Sequence, residues 1–283
     1  MILIATCSEY PHPTPNLEAL LKALHALGLA AEHRPWKTTP LATFAAADAV
    51  LPLCCWDYYD DPATFMAWID ALEARGVRLI NDPSLLRWNF RKTYLLEFAK
   101  AGLPVPKTFH LHHADRTAIE EAMAAQGWRV AVLKPVSSQS GHGVQKLDWA
   151  ERDRWTVGPL ADAMLLQEFQ ADIGALGETT MTFIEGVFSH AVRRVLKPGE
   201  WRANAQFGIT YERVAPRQDL IDAGASYLAR LPQVPLYARV DGIARDSGFM
   251  LTELELIDPY LYLEFAPGSA GRMARALAER LGR

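Results

Sequence analysis

Cysteine is scarce in this chain: its 283 residues hold three, Cys7 and the adjacent pair Cys54 and Cys55. With no C-x-x-C spacing and no even-numbered framework, they exclude a disulfide scaffold and read as buried thiols of a reducing, cytoplasmic compartment. No basic segment precedes an apolar run at the start. MILIATCSEY is too short for a secretion signal and reads as a first buried strand. No stretch approaches ~18 uninterrupted apolar residues, so neither a membrane-spanning helix nor a membrane partner is expected. Charge of one sign is not in excess either: 29 Lys and Arg against 33 Asp and Glu leave a formal net charge of -4. That balance offers no electrostatic footprint for nucleic acid, and leaves small acidic or zwitterionic ligands open. Internal repeats and low-complexity tracts are also missing.

What is present is a globular composition, half hydrophobic and 22% charged. At this length two or three lobes are expected rather than one core, because single cores seldom grow beyond roughly 250 to 300 residues. The first 80 residues alternate short β-rich runs with helical periodicity: Ile2 to Thr6, then Leu17, Leu20, Leu21, Leu24 and Leu27 at helix spacing, then Ala49 to Leu53. A helix from the Asp61-Pro62 start to Gly76 follows, and Val77 to Ile80 reads as a further strand. That rhythm predicts a small open parallel sheet whose ligands lie beyond the strand C-terminal ends, at Cys7 to Tyr10 and Trp56 to Tyr59. Pro83 to Ala101 reads as one helix ending at Gly102, before a linker. From Val105 to about Met164 strand, helix, strand, a Ser/Gly loop and strand make a segment small enough to be a mobile lid. Beyond it come antiparallel signals. Glu178 to Ile184 and Val187 to Val195 flank Glu185-Gly186, and Tyr237 to Ile243 and Phe249 to Leu256 flank Asp246-Ser247-Gly248. An amphipathic helix from Ser269 to Leu281 comes last. The expected domains are therefore 1–82, 83–165 and 166–283.

The second hairpin carries the most chemistry. A turn centred on Ser247 sets Asp241 opposite Glu253 and Arg239 opposite Glu255, all four on one face. Opposed Cβ atoms lie about 4.5 to 5.5 Å apart, so three carboxylates there repel unless a cation sits among them. Hard oxygen donors of this kind suit Mg²⁺. The alternative is a solvated strand face, against which stands the apolar opposite face of Ala238, Val240, Leu254 and Leu256. Upstream, VLKPVSSQSGHGV delivers Lys134 into a loop of Ser137, Ser138, Gln139, Ser140, Gly141, His142 and Gly143. Glycines and serines let backbone N–H groups turn toward an anion and the lysine adds a point charge, a combination suited to ATP phosphates; it is not a Walker A loop. His142 reads as a loop hydrogen-bonder.

Lys92 in RWNFRK, Lys134 in VLKP with its Gly/Ser loop, Leu166-Gln167-Glu168-Phe169, and Asp241 with Glu253-x-Glu255 together resemble the ordered signature of the ATP-grasp superfamily, along essentially the whole chain. The resemblance implies an α/β ATP-grasp fold: an N-terminal Rossmann-like parallel sheet, a small central lid and a C-terminal α+β lobe, with ATP between the last two. It assigns Lys92 and Lys134 to the phosphates, Ser138, Ser140, Gly141 and Gly143 to the closing loop, Gln167, Glu168 and Phe169 to adenine, and Glu178 to the ribose, although an exposed strand carboxylate is the alternative there. Mg²⁺ falls to Asp241, Glu253 and Glu255. Arg239 resembles the arginine that stabilises the transferred phosphoryl group in D-alanine:D-alanine ligases.

GEWRANAQFG, with Gly199, Arg202, Asn204 and Gly208, is similar to the glutathione-synthetase loop that contacts an acyl phosphate. Arg194 resembles a substrate or phosphate arginine of that group, and Arg193 points the other way. Two departures stand out: Glu255 where most members have asparagine, and Ile209 where the loop has its second glycine. The TCSEYP opening and ELELIDPYLYLE look most like the glutathione-synthetase-like branch that includes O-ureido-D-serine cyclo-ligase. The resemblance implies an ATP- and Mg²⁺-dependent carboxylate–amine ligase with small-molecule carboxylate and amine substrates, acting through an acyl phosphate, with intramolecular cyclisation and a homodimer left open. A small-molecule kinase on the same fold, or a non-catalytic nucleotide-binding protein, remains the alternative.

Overall fold

The computed structural model describes residues 1–9, 12–113, 115–139, 141–157 and 163–283. Ser140, assigned above to the phosphate loop, and Tyr10 lie outside them. The chain opens with β1 (Ile2–Thr6), α1 (Pro15–Ala26), β2 (Ala31–Pro35), α2 (Leu41–Ala45), β3 (Ala49–Cys54) and α3 (Pro62–Glu73). Its three strands form a parallel sheet in the order β2-β1-β3. Both faces of this sheet are covered, so β1 reads as an unbroken apolar run rather than an alternating one. Ile2, Ile4, Leu51 and Leu53 pack on α1, while Leu3, Ala5 and Val50 pack on Phe65, Ile69 and Leu72 of α3. The Asp61 side chain caps α3 by accepting from the Thr64 amide, with Pro62 in the first turn. The strand expected over 77–80 is reduced to a single bridge, Val50 to Leu79. After the Ile80 amide donates to the Val50 carbonyl, the chain leaves the sheet so that Asn81 can bond to the C-terminal lobe.

The single helix expected over 83–101 is two, α4 (Pro83–Asn89) and α5 (Tyr94–Lys100). Between them the Lys92 amide donates to the Val136 carbonyl at 2.7 Å, which fixes the break against the next lobe. That lobe comprises β4 (Thr108–Leu111), α6 (Arg116–Gln126), β5 (Val130–Pro135), β6 (Gln145–Asp148) and β7 (Met164–Glu168), its sheet ordered β4-β7-β5-β6. Ile119 and Met123 of α6 pack on Ala131, Leu133 and Leu147. Because Thr108 pairs with Gln167 and Val132 with Gln167, the boundary expected after residue 165 falls inside β7, and the lid sheet runs to Glu168.

The remainder holds α7 (Ile173–Leu176), β8 (Glu178–Ile184), β9 (Val187–Val195), β10 (Thr210–Val214), α8 (Gln218–Leu228), β11 (Tyr237–Arg245), β12 (Gly248–Glu255) and α9 (Ser269–Arg280). The antiparallel sheet runs β10-β9-β8-β11-β12. At the first hairpin Glu185 and Gly186 both take positive φ, as a tight two-residue turn requires. The last helix returns to the N-terminal lobe, where Met273, Ala274 and Leu277 share a core with β1, β3 and α1. The first lobe is therefore not built from residues 1–82 alone.

Candidate functional site

The site is built on β11 and β12, and its register depends on a bulge. The turn at Asp246-Ser247 pairs Arg245 with Gly248, and that register continues to Gly242 opposite Leu251. Between Gly242 and Asp241 it shifts, leaving Thr252 without an opposite residue and setting Asp241 against Glu253 and Arg239 against Glu255. The expected pairs are thus present, although the turn is one residue tighter than expected. Gly242 is required where the register shifts: a Cβ there would stand 2.4 Å from both the Met250 carbonyl oxygen and the Phe249 ring.

β12 lies at the edge of its sheet, and buried side chains satisfy its outer backbone groups. Tyr94 Oη donates to the Leu254 carbonyl and accepts from the Leu254 amide, both at 3.0 Å. Asn89 donates to the Leu254 carbonyl at 2.8 Å and accepts from the Leu256 amide at 2.7 Å. Asn81 donates to the Leu256 and Tyr237 carbonyls. These bonds hold the residues that alternate with Glu253 and Glu255, and so fix where those carboxylates point.

The shared face is buried and ionic. Asp241 is 1% exposed. Its oxygens accept from Arg239 Nε at 3.0 and 3.1 Å, from Arg239 Nη2 at 2.8 Å and from Arg194 Nη2 at 2.9 Å. Burial resists its ionisation, but the two guanidinium groups outweigh burial and hold the carboxyl below its ordinary range. Arg239 also donates to Glu255, and Lys92 to Glu253. Burial, only partly offset by Arg239 and reinforced by the charges of Glu253 and Asp241, pushes Glu255 up to about 7. Glu178 is not the exposed strand carboxylate weighed as the alternative: it accepts from Arg194 Nη1 at 2.8 Å and from the Thr252 hydroxyl at 2.6 Å. Lys134 stands near this group with no hydrogen bond or ion pair among the described residues. Burial lowers its ammonium to about 8.

Three carboxylates were expected to gather round one cation. They share the face, but among the described residues no three His, Cys, Asp or Glu side chains are arranged to hold a metal ion. Protein cations supply the countercharge in this structure: Arg194 and Arg239 to Asp241, Arg239 to Glu255 and Lys92 to Glu253.

Two cavities open beside this face. The smaller, about 150 Å³, runs between the lid and the C-terminal sheet and is lined by Lys92, Lys134, Ser138, Gly141, Gln167, Glu168, Phe169, Glu178, Arg202 and Glu253. Of the described residues expected to bind nucleotide, all but Gly143, which packs on Pro135, meet there. The larger, about 590 Å³, is lined by Trp56, Gln139, Arg239, Glu255, Tyr260, Tyr262 and Glu264. Arg194, Ala203 and Asn204 line both. Arg202 is fixed by Glu200 at 2.9 and 3.0 Å and lies 3.5 Å over the Phe207 ring. A Cβ on Gly141 would come within 2.9 Å of Asn204 Oδ1, so the lid loop needs glycine where it meets the Asn204 loop. Ile209, in place of a glycine, packs with Leu196 and Ala203. Arg193 turns outward to Glu212, as expected.

Across the larger cavity the lid touches the N-terminal lobe. Gln139 Nε2 donates to Tyr58 Oη at 2.7 Å and to Asp258 Oδ1 at 2.8 Å. His142 stacks on Tyr59 at 5.0 Å between ring centroids, so its role is a ring contact. Segment 56–59 divides between roles: Trp56 faces the cavity, Tyr58 and Tyr59 meet the lid, and Asp57 is buried against the Trp36 indole N–H. The cysteines are buried, and burial pushes the Cys54 and Cys55 thiols well up. Thr252, Asn81, Asn89 and Tyr94 were missed from sequence. A bulge position and a polar residue bound to a distant strand carry no local pattern.

Residues 2–81 match the family described as the N-terminal domain of D-cycloserine synthetase DcsG. The cycloserine biosynthesis protein DcsG of Streptomyces lavendulae is 29% identical over 282 residues, 94% of this chain and 94% of that protein. The crystal structure of D-cycloserine synthetase DcsG superposes with a TM-score of 0.87 at 27% identity, covering 99% of both chains. The ATP-grasp ligase PsnB, solved with a minimal precursor, Mg and ADP, shares the fold at a TM-score of 0.66, with 17% identity and coverage of 99% of this chain and 97% of that one. With its signature residues gathered round two joined cavities and this likeness along its whole length, the chain belongs to the ATP-grasp superfamily.

Proposed function

We propose that this chain is an ATP-dependent carboxylate–amine ligase that activates a small amino-acid-like carboxylate as an acyl phosphate and forms an amide with an amine of the same molecule. The observation that carries this reading is the junction at Arg194, Ala203 and Asn204, where a cleft suited to a nucleotide meets a cavity suited to a second molecule. Phosphoryl transfer needs little covalent chemistry from the protein, only positioning and charge neutralisation, and both are available at that junction. Lys92 and Lys134 would hold phosphate oxygens, while Arg194, Arg239 and Arg202 would offset charge on the transferred group. Intramolecular closure draws its support from the full-length similarity to a cycloserine synthetase.

The donor chemistry fits Mg²⁺ at Glu253 and Glu255: burial, reinforced by the neighbouring carboxylates, pushes Glu255 up to about 7, and an added cation would favour its charged form. Asp241 becomes available to a metal only where Arg194 or Arg239 exchanges it for a phosphate oxygen. The ion would offset charge on the β- and γ-phosphates.

The test incubates the protein with Mg-ATP and hydroxylamine over D- and L-amino acids and small peptides, recording ADP, phosphate and hydroxamate. A hydroxamate with stoichiometric ADP is expected, and Glu253→Gln should abolish both while leaving the melting temperature within a few degrees. ADP with a stable phosphorylated product would instead make this a kinase.

A further inference from the structure

Between the larger cavity and Arg194 stands Tyr262, and its hydroxyl has a proton to share. Tyr262 Oη accepts from Arg194 Nε at 3.1 Å. A guanidinium N–H can only donate, so the tyrosine oxygen accepts there and its own O–H turns elsewhere. Among the described residues no oxygen or nitrogen accepts that proton, although Tyr262 is only 6% exposed. Buried polar groups are seldom left with an unused donor, and the space beside this one is the larger cavity, which Tyr262 lines. The bond from Arg194 also polarises the O–H and makes it a stronger donor than an isolated phenol.

The backbone holds this side chain in an unusual conformation. Tyr262 takes φ 56° and ψ 35°, a left-handed geometry that glycine adopts freely and an aromatic residue rarely does. Bonds on both sides keep it there: the Leu261 carbonyl accepts from Thr182 Oγ1 at 2.9 Å and meets His190 Nε2 at 2.8 Å, and the Leu263 amide donates to Asn16 Oδ1 at 3.2 Å. Tyr211, Tyr260 and Phe265 stand round the ring, with centroids 5.5, 5.0 and 6.0 Å away. A strained position kept for a large side chain, with backbone and ring both fixed, suits a donor held ready for charge that develops beside it.

Placement identifies the acceptor. Arg194 lines both cavities, whereas Tyr262 lines the larger and not the nucleotide cleft. Its hydroxyl therefore lies on the substrate side of the arginine that faces the transferred phosphoryl group. The atom due at that place is the carbonyl oxygen of the acyl phosphate rather than a phosphate oxygen. We infer that Tyr262 is a further catalytic residue, donating from its hydroxyl to the acyl carbonyl oxygen as the amine adds. The inference rests on the ligase reading. In the addition the amine nitrogen bonds to the acyl carbon and the C=O electron pair moves onto oxygen, where the hydrogen bond from Tyr262 strengthens. The pair then returns, the C–O bond to phosphate breaks, and the proton lost by nitrogen leaves on inorganic phosphate. Tyr262 keeps its own proton throughout. Arg194 serves the earlier phosphoryl transfer, so the two touching residues act on successive steps.

Single turnovers separate those steps, with ADP measured by rapid quench reporting phosphoryl transfer and free phosphate measured by a fluorescent sensor reporting amine addition. The probes are D- and L-serine, D- and L-alanine and their homodipeptides, with hydroxylamine as the amine. Tyr262→Phe keeps the ring and removes the hydroxyl. It should leave ADP formation within about two-fold of wild type and slow phosphate release by roughly ten- to a hundred-fold, so that acyl phosphate accumulates. ADP formation slowed as much as phosphate release would mean that the hydroxyl acts only by positioning Arg194, and wild-type rates for both would mean that it has no role. Either result overturns the proposal and leaves the ligase reading standing. Wild-type protein that forms no ADP with any of these acids, or that forms a stable phosphorylated product, overturns both.

Discussion

Lys134 is the residue whose environment departs most usefully from its type. Burial lowers its ammonium to about 8, whereas a bound phosphate would favour the charged form and raise it. Between those two values nucleotide binding takes up a proton, and affinity falls as pH rises through about 8 because the free protein then loses its charge. The same depression costs the fold stability below about 8, a cost that fades toward the unfolded lysine value. Titration calorimetry of ADP near pH 8, in two buffers of different ionisation enthalpy, should show net proton uptake that Lys134→Met removes. Equal heats in both buffers would contradict the role. Sequence placed this lysine on a strand beside a Ser/Gly loop, but its burial depends on residues from other elements.

At the scale of elements, the decisive feature is the edge strand β12 and the side chains that close its outer side. Asn89→Ala leaves the Leu256 amide without an acceptor, whereas the Leu254 carbonyl keeps Tyr94. One orphaned buried N–H costs about 1 to 3 kcal/mol. The expected result is a melting temperature lower by a few degrees, together with reduced turnover because Glu255 adjoins the loosened bond. An unchanged melting temperature would show that the bond is replaceable. Both hairpins were legible from alternation and turn residues, and the facing of Asp241 with Glu253 from register alone. The bulge at Thr252 was not: it depends on Gly242 accommodating the Met250 carbonyl and the Phe249 ring, a contact with no signature in composition or period.

For the whole molecule, the lid is held to the first lobe through Gln139, and His142 stacked on Tyr59 adds a second contact. Gln139→Ala deletes two hydrogen bonds, each worth about 0.5 to 1.5 kcal/mol net. It should speed release of a fluorescent ATP analogue by roughly ten-fold, since 1.4 kcal/mol is a factor of ten. Stopped-flow dissociation measures this directly, and an unchanged rate would show that Gln139 does not hold the lid.

The sequence by itself determined the order of elements and the charge pattern of the site. Hydrophobic period, helix caps and turn residues act within a few positions, and Lys92, Lys134, Gln167 and the β11–β12 carboxylates stand in an order that can be read along the chain. Only the tertiary structure decided which charges neutralise which. Arg194 reaches Asp241 across 47 residues and Lys92 reaches Glu253 across 161, so the three carboxylates of the shared face each meet a protein cation. Tertiary structure likewise decided that the lid extends through β7 and that α9 completes the first lobe. Pairings of that range are fixed by burial of whole faces, and an ionic partner is selected by whichever countercharge the packed core delivers within reach.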